Sequence, residues 1–149
     1  MEAHSSTHES RRRWMAVLAK SSSEEIERAW ADLPERPAYR CVRPAEIGLV
    51  MARGRIGGSG APFNIGEITV TRCVVELGSG GAWGFAYVAG RDPRHAELAA
   101  AFDALLQRGE EGAPRAIIER LAAACERRRR VAAAEAAETR VDFFTMVRE

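Results

Sequence analysis

The run AWGFAYVAG, Ala82–Gly90, limits the possible folds more than any other stretch of this chain. Read as a strand, it puts Trp83, Phe85 and Tyr87 on one face and Ala82, Gly84 and Ala86 on the other. The small face admits close approach by a helix or another backbone. The turn GSGG, Gly78–Gly81, joins this run to EITVTRCVVEL, Glu67–Leu77, whose β-branched content marks a second strand. Upstream, YRCVR alternates and EIGLVMAR is strand-like, which predicts four strands in an antiparallel meander.

Helical patterns flank the sheet on both sides. Trp14, Val17 and Leu18 share one face of an N-terminal helix. Ser22 and Glu25 have the spacing of a capping box for a second helix, in which Ile26, Trp30 and Leu33 share a face until Pro34 stops it. After the sheet, Asp92 suits an N-cap and Pro93 the first helical position. Leu98, Phe102 and Leu105 form the apolar stripe of this third helix, and Gly109 and Gly112 end it. A fourth, long helix starts near Pro114, carries Ile117, Ile118, Leu121 and Cys125 inward, and continues through ERRRRVAAAEAAE. The expected architecture is α+β: an N-terminal helical hairpin, a four-stranded antiparallel sheet, C-terminal helices and an apolar tail. A chain of 149 residues is near the common size of one domain, so residues 1–149 are read as one unit. Within it, residues 1–10 are expected to be disordered and 138–149 to be a partner-binding tail.

Composition removes several function classes. The formal net charge is +1, so no global field recruits nucleic acid or an anionic membrane. The polar start MEAHSSTHES lacks the apolar core of a secretory signal, and no apolar run is long enough for a membrane span. Cys41, Cys73 and Cys125 are odd in number and widely spaced, which fits neither a zinc knuckle nor a disulfide framework. A reduced, cytoplasmic protein is the simplest expectation.

The chemical candidates cluster in three places. The first is the glycine-rich segment RGRIGGSGAPFNIGEITVTR, Arg53–Arg72, with Gly57, Gly58, Gly60 and Asn64. It fails the P-loop pattern, because Lys20 is the sole lysine, and it fails the dinucleotide fingerprint, because a strand follows it. A nest of backbone N–H groups for an anion and a wide hairpin needing positive φ both remain open. The second is Arg72, which alternation places with Ile68, Val70 and Val74. A charge there calls for an acidic partner such as Glu46 or Glu67, a cleft holding an anion, or a bulge that reverses the register. The third is GRDPRHAE, where Arg91, Arg94 and His95 surround a helix N-terminus suited to phosphate or carboxylate. A capping turn with a solvated His is the plainer alternative. No metal site, nucleophile or self-sufficient catalytic set is legible. Val141, Phe143, Phe144, Met146 and Val147 near the C-terminus must bury against this domain or a partner.

The order of these motifs resembles a known family. Trp14–Ala19, PAEIGLV, RIGGSGAPFNIGEITVTR, GRDPRHAE and RVDFFTMV together are similar to PhnG, the G subunit of the bacterial carbon–phosphorus lyase system for phosphonate use, over nearly the whole chain. The resemblance implies a subunit of the α-D-ribose 1-methylphosphonate 5-triphosphate synthase, inactive alone. With the H, I and L subunits it would support transfer of the ribose triphosphate of ATP to a phosphonate, with release of adenine. A separate radical subunit, J, acts later, and the G subunit packs chiefly against I. ATP is then a co-substrate of the complex, and no cofactor is expected in this chain. The competing expectation is a purely structural adaptor that stabilises the I subunit. The resemblance carries over no catalytic residues, so Gly57, Gly58, Gly60, Asn64, Arg72, Arg91 and His95 stand only as anion-site candidates.

Overall fold

The computed structural model describes residues 2–109 and 112–138, with side chains described from residue 8 onward. In chain order the elements are α1 (Glu2–Lys20), α2 (Ser23–Ala31), β1 (Tyr39–Arg55), β2 (Pro62–Leu77), β3 (Trp83–Ala89), α3 (Pro93–Gln107) and α4 (Ala113–Glu138). A single 3-10 turn, Ile56–Gly58, links β1 to β2.

The sheet is antiparallel in the order β1-β2-β3, so the described residues contain three strands rather than the expected four. The correction lies at Pro44. YRCVR and EIGLVMAR are one strand, and the sequence break between them is absorbed by register shifts at Cys41/Arg43 and Arg43/Glu46. Proline has no N–H to give to a ladder, but β1 is an edge strand, and a bulge there tolerates it.

The aromatic and small faces of β3 separate as the alternation requires. Gly84, Ala86 and Val88 are buried, while Trp83, Phe85 and Tyr87 are exposed. α3 lies against the small face so closely that a Cβ on Gly84 would stand 1.8 Å from the Ala100 carbonyl oxygen. Only glycine allows this contact.

α3 is the centre of the molecule. Its expected stripe of Leu98, Phe102 and Leu105 is buried, but so are His95, Ala96, Ala99, Ala100, Ala101, Asp103 and Ala104. The sheet, α1, α2 and α4 all pack against it. Alanines suit either a surface or a tightly packed helix, so periodicity underestimates how completely this one is enclosed.

The expected helical hairpin is also corrected. Ser22 caps α2 through the reciprocal box with Glu25: Glu25 N donates to Ser22 Oγ at 3.2 Å and Ser22 N to Glu25 Oε2 at 2.9 Å. Beyond that corner, however, α1 packs on α3, α4 and β3 and α2 on α3, instead of pairing along their lengths. Trp30 carries α2 into the core by edge-on contacts with Phe102 and Tyr39. α4 buries Ile117, Ile118 and Leu121, and its Arg128 pairs with Glu25 of α2.

Asp103 ties these layers together at zero exposure. It accepts hydrogen bonds from Arg11 Nε and Nη2 (3.1 and 2.7 Å), Trp14 Nε1 (2.9 Å), Gln107 Nε2 (3.1 Å) and Phe85 N (3.0 Å). Phe85 lies on an edge strand, so its N–H would otherwise lack a partner at the seam with α1. Arg11 also sits over the Phe85 ring, 5.6 Å from its centroid.

Candidate functional site

The helices cover only one side of the sheet. Pairing puts Arg43 beside Val74 and Phe85, Glu46 beside Arg72 and Tyr87, and Val50 beside Ile68, all on the opposite, open side. The face that Arg72 shares with Ile68, Val70 and Val74 is therefore not the core face. That explains how a guanidinium sits among apolar neighbours: it reaches water and an acid at the same time. Arg72 Nε and Nη2 donate to Glu46 Oε2 at 3.2 and 3.0 Å, and Arg43 approaches the other carboxylate oxygen at 3.7 Å. Of the partners considered from sequence, Glu46 is the one used.

β3 pairs with β2 only from Val70 to Glu76. Beyond Thr69 the β1–β2 pair continues as a two-stranded arm to the turn at Ile56–Gly58. Gly57 and Gly58 adopt φ of 58° and 82°, which lets the chain reverse there without strain. Gly60 N donates to Ile56 O, Arg55 Nη1 donates to Gly60 O, and Asn64 is opposite Arg53. The glycine segment thus forms an exposed arm tip. From Asn64 to Arg72 the strand runs about 26 Å at ~3.3 Å per residue.

The base of α3 is built differently. Asp92 Oδ1 accepts from His95 N at 2.9 Å, and this bond holds the Asp92 carboxyl below its ordinary pKa. Thr71 Oγ1 donates to Gly90 O and accepts from Asp92 N, so a fully buried threonine fixes the turn from β3 into α3. The His95 side chain is 4% exposed, and its Nε2 lies 2.8 Å from Leu18 O. A carbonyl only accepts, so Nε2 carries the proton and the ring serves as a donor joining α3 to α1. Arg91 is exposed at this corner.

The sequence candidates consequently fall into separate places. Gly57, Gly58, Gly60 and Asn64 are at the arm tip, Arg72 is on the open sheet face, Arg91 is at the α3 corner, and His95 is inside the body. They do not converge on one pocket. Val141, Phe143, Phe144, Met146 and Val147 lie outside the described residues. Among the described residues no group of three or more His, Cys, Asp or Glu is placed to hold a metal ion. None of their helices is long and apolar enough to cross a membrane. Cys73 is buried, and burial first, with Cys41 and Glu97 nearby, pushes its thiol up to about 12.

Sequence reasoning passed over the exposed apolar side chains of the arm. Leu49, Val50, Met51, Ile56, Phe63, Ile65 and Ile68, with Ile47 at the base of the arm, all remain accessible, Leu49 at 61% and Ile65 at 64%. The available signal was apolar residues at both odd and even positions of EIGLVMAR, a pattern of strands covered on both faces.

Comparison with known proteins settles what this architecture belongs to. Residues 9–149 match the model of the family described as phosphonate metabolism protein PhnG. The chain belongs to the PhnG family. It is also 46% identical, over 139 residues, to the alpha-D-ribose 1-methylphosphonate 5-triphosphate synthase subunit PhnG of Rhizobium meliloti (strain 1021). That match covers 93% of this chain and 88% of the relative, so the likeness to this family member extends through sheet, arm and helices alike.

Proposed function

We propose that the chain is a non-autonomous subunit of an α-D-ribose 1-methylphosphonate 5-triphosphate synthase, working in phosphonate use. The observation that carries this reading is the 46% identity, over nearly the whole chain, to a protein named as a subunit of that synthase. In the reaction a phosphonate oxygen bonds to C1′ of the ATP ribose while the C1′–N9 bond breaks and adenine departs with a proton. Such a displacement needs cationic and N–H groups to hold a triphosphate and a phosphonate in line. This chain offers Arg91 and the arm-tip backbone at Gly57 and Gly58 towards that end, dispersed over its surface, while the Gly60 N–H is held by Ile56 O. The dispersal supports a site completed by the H, I and L subunits, with this chain against I and the J subunit acting on the product. A cytoplasmic location fits that chemistry.

A second reading, an adaptor that contributes no active-site residue, is favoured by a specific observation. His95 is buried and committed to Leu18 O, out of reach of a substrate, and Arg72 already gives two of its N–H groups to Glu46. Reconstitution separates the two. ATP and methylphosphonate should yield no adenine with this chain alone, and adenine with the H, I and L subunits added. Full turnover without this chain overturns the subunit reading. In the assembled complex, unchanged turnover on replacing Arg72 by Ala or Arg91 by Ala supports the adaptor.

A further inference from the structure

We infer that the β1–β2 arm inserts into an apolar cleft of another synthase subunit, a cleft with carboxylates where it receives Arg53 and Arg55. The inference rests on the subunit reading above and names its docking element. From Thr69 outward the arm has only two strands, and among the described residues no third strand pairs with it. An isolated two-stranded ribbon is at best marginally stable in water. This one nevertheless carries apolar side chains on both faces: Leu49 and Met51 on one, Val50 and Ile68 on the other.

Area argues for a macromolecular occupant. Seven large apolar residues of the arm, Leu49, Val50, Met51, Ile56, Phe63, Ile65 and Ile68, are 36–68% exposed. At about 180 Å² for each fully exposed side chain they present on the order of 700 Å², near the ~800 Å² per partner of a stable interface. Single-chain proteins seldom leave so much contiguous apolar surface to water. Because both faces are apolar, a flat partner would leave one of them wet, and a cleft covers both. β1 adds an open edge to which a partner strand can hydrogen-bond.

Charge selects the kind of cleft. Arg53 and Arg55 flank the tip, and neither has an ion-pair partner among the described residues. Buried against a partner, they call for acids. The groove of a second copy between its α1 and α4 does not supply them. It sets Arg13 and Arg115 beside Glu119 and Glu126, which gives no net acidic end.

Hydrogen exchange on the full chain, alone and assembled with the other synthase subunits, tests the inference. Amides of residues 47–55 and 62–68 should exchange fast in the isolated chain and slow by roughly tenfold or more in the complex. The double variant Leu49→Ser/Ile65→Ser should keep its circular dichroism and melting temperature while its yield of complex falls by about tenfold. Arg53→Glu/Arg55→Glu should also fold and fail to assemble. Arm amides that exchange equally fast in a complex that does form overturn the inference and leave the subunit reading standing. Failure of the wild-type chain to assemble overturns both. Slow arm exchange in the isolated chain also overturns the inference, pointing to a second copy if the mass is that of a dimer and to cover by its own chain if it is that of a monomer.

Discussion

Along α3 the large apolar side chains Leu98, Phe102 and Leu105 are buried, whereas along the arm Leu49, Met51 and Ile65 stand in water. Both regions are apolar, and both are regular structure. They differ in their neighbours: α3 is packed by the sheet and three helices, and among the described residues the arm beyond Thr69 has only its own two strands. Apolar surface removed from water stabilises a fold, and apolar surface left in water contributes nothing until something covers it. The body therefore holds the stability of this protein, and the arm holds unused binding capacity.

Damage to the body should be severe, and the largest effect is expected at Gly84. A side chain there meets the Ala100 carbonyl at 1.8 Å and the Ala104 nitrogen at 2.6 Å, backbone atoms that cannot rotate away. Gly84→Val should cost on the order of 5 kcal/mol and remove cooperative thermal unfolding. A normal melt would show that α3 can lift off the sheet. Asp103→Ala comes next, since it leaves Arg11, Trp14 Nε1 and Phe85 N without their shared acceptor. Urea denaturation should report a loss of about 3–5 kcal/mol.

Cys73 extends the comparison along a single strand, because β2 passes from body to arm. Its folded pKa is raised from 9.0 to about 12. The unfolded thiol loses its proton first as pH rises, so stability should fall between those values, and Cys73→Val should flatten the slope. Equal slopes would mean that the thiol is not held protonated by burial. Ser22→Ala removes one partner of the α2 capping box and should cost about 1 kcal/mol by the same denaturation. At the small end, Leu49→Ser should change the isolated chain by no more than about 0.5 kcal/mol. A much larger loss would place Leu49 in the core and erase the contrast between the two regions.

Several features were legible in the residues. The capping box at Ser22 and Glu25, the Asp92–Pro93 start of α3, and the split of β3 into aromatic and small faces each follow from local chemistry. The strand count was not legible, because Pro44 reads as a break, and only an edge position with a bulge makes it tolerable. The enclosure of α3 was hidden by its alanines. The direction of the Arg72 face was equally hidden, since alternation states which residues share a side but not which side meets the helices. The candidate site was the least visible, because its apolar surface lies on a ribbon that the other described residues leave exposed, and no local pattern marks that.

The sequence by itself determined local hydrogen bonding, the strand and helix periods, and membership of the PhnG family, since these depend on residues near one another or on motif order. Tertiary structure alone decided that Asp103 is a buried hub, that His95 points to Leu18, and that the glycine segment is the tip of an uncovered arm. Those facts depend on contacts between residues far apart in the chain, where burial and pairing are set by which layers meet.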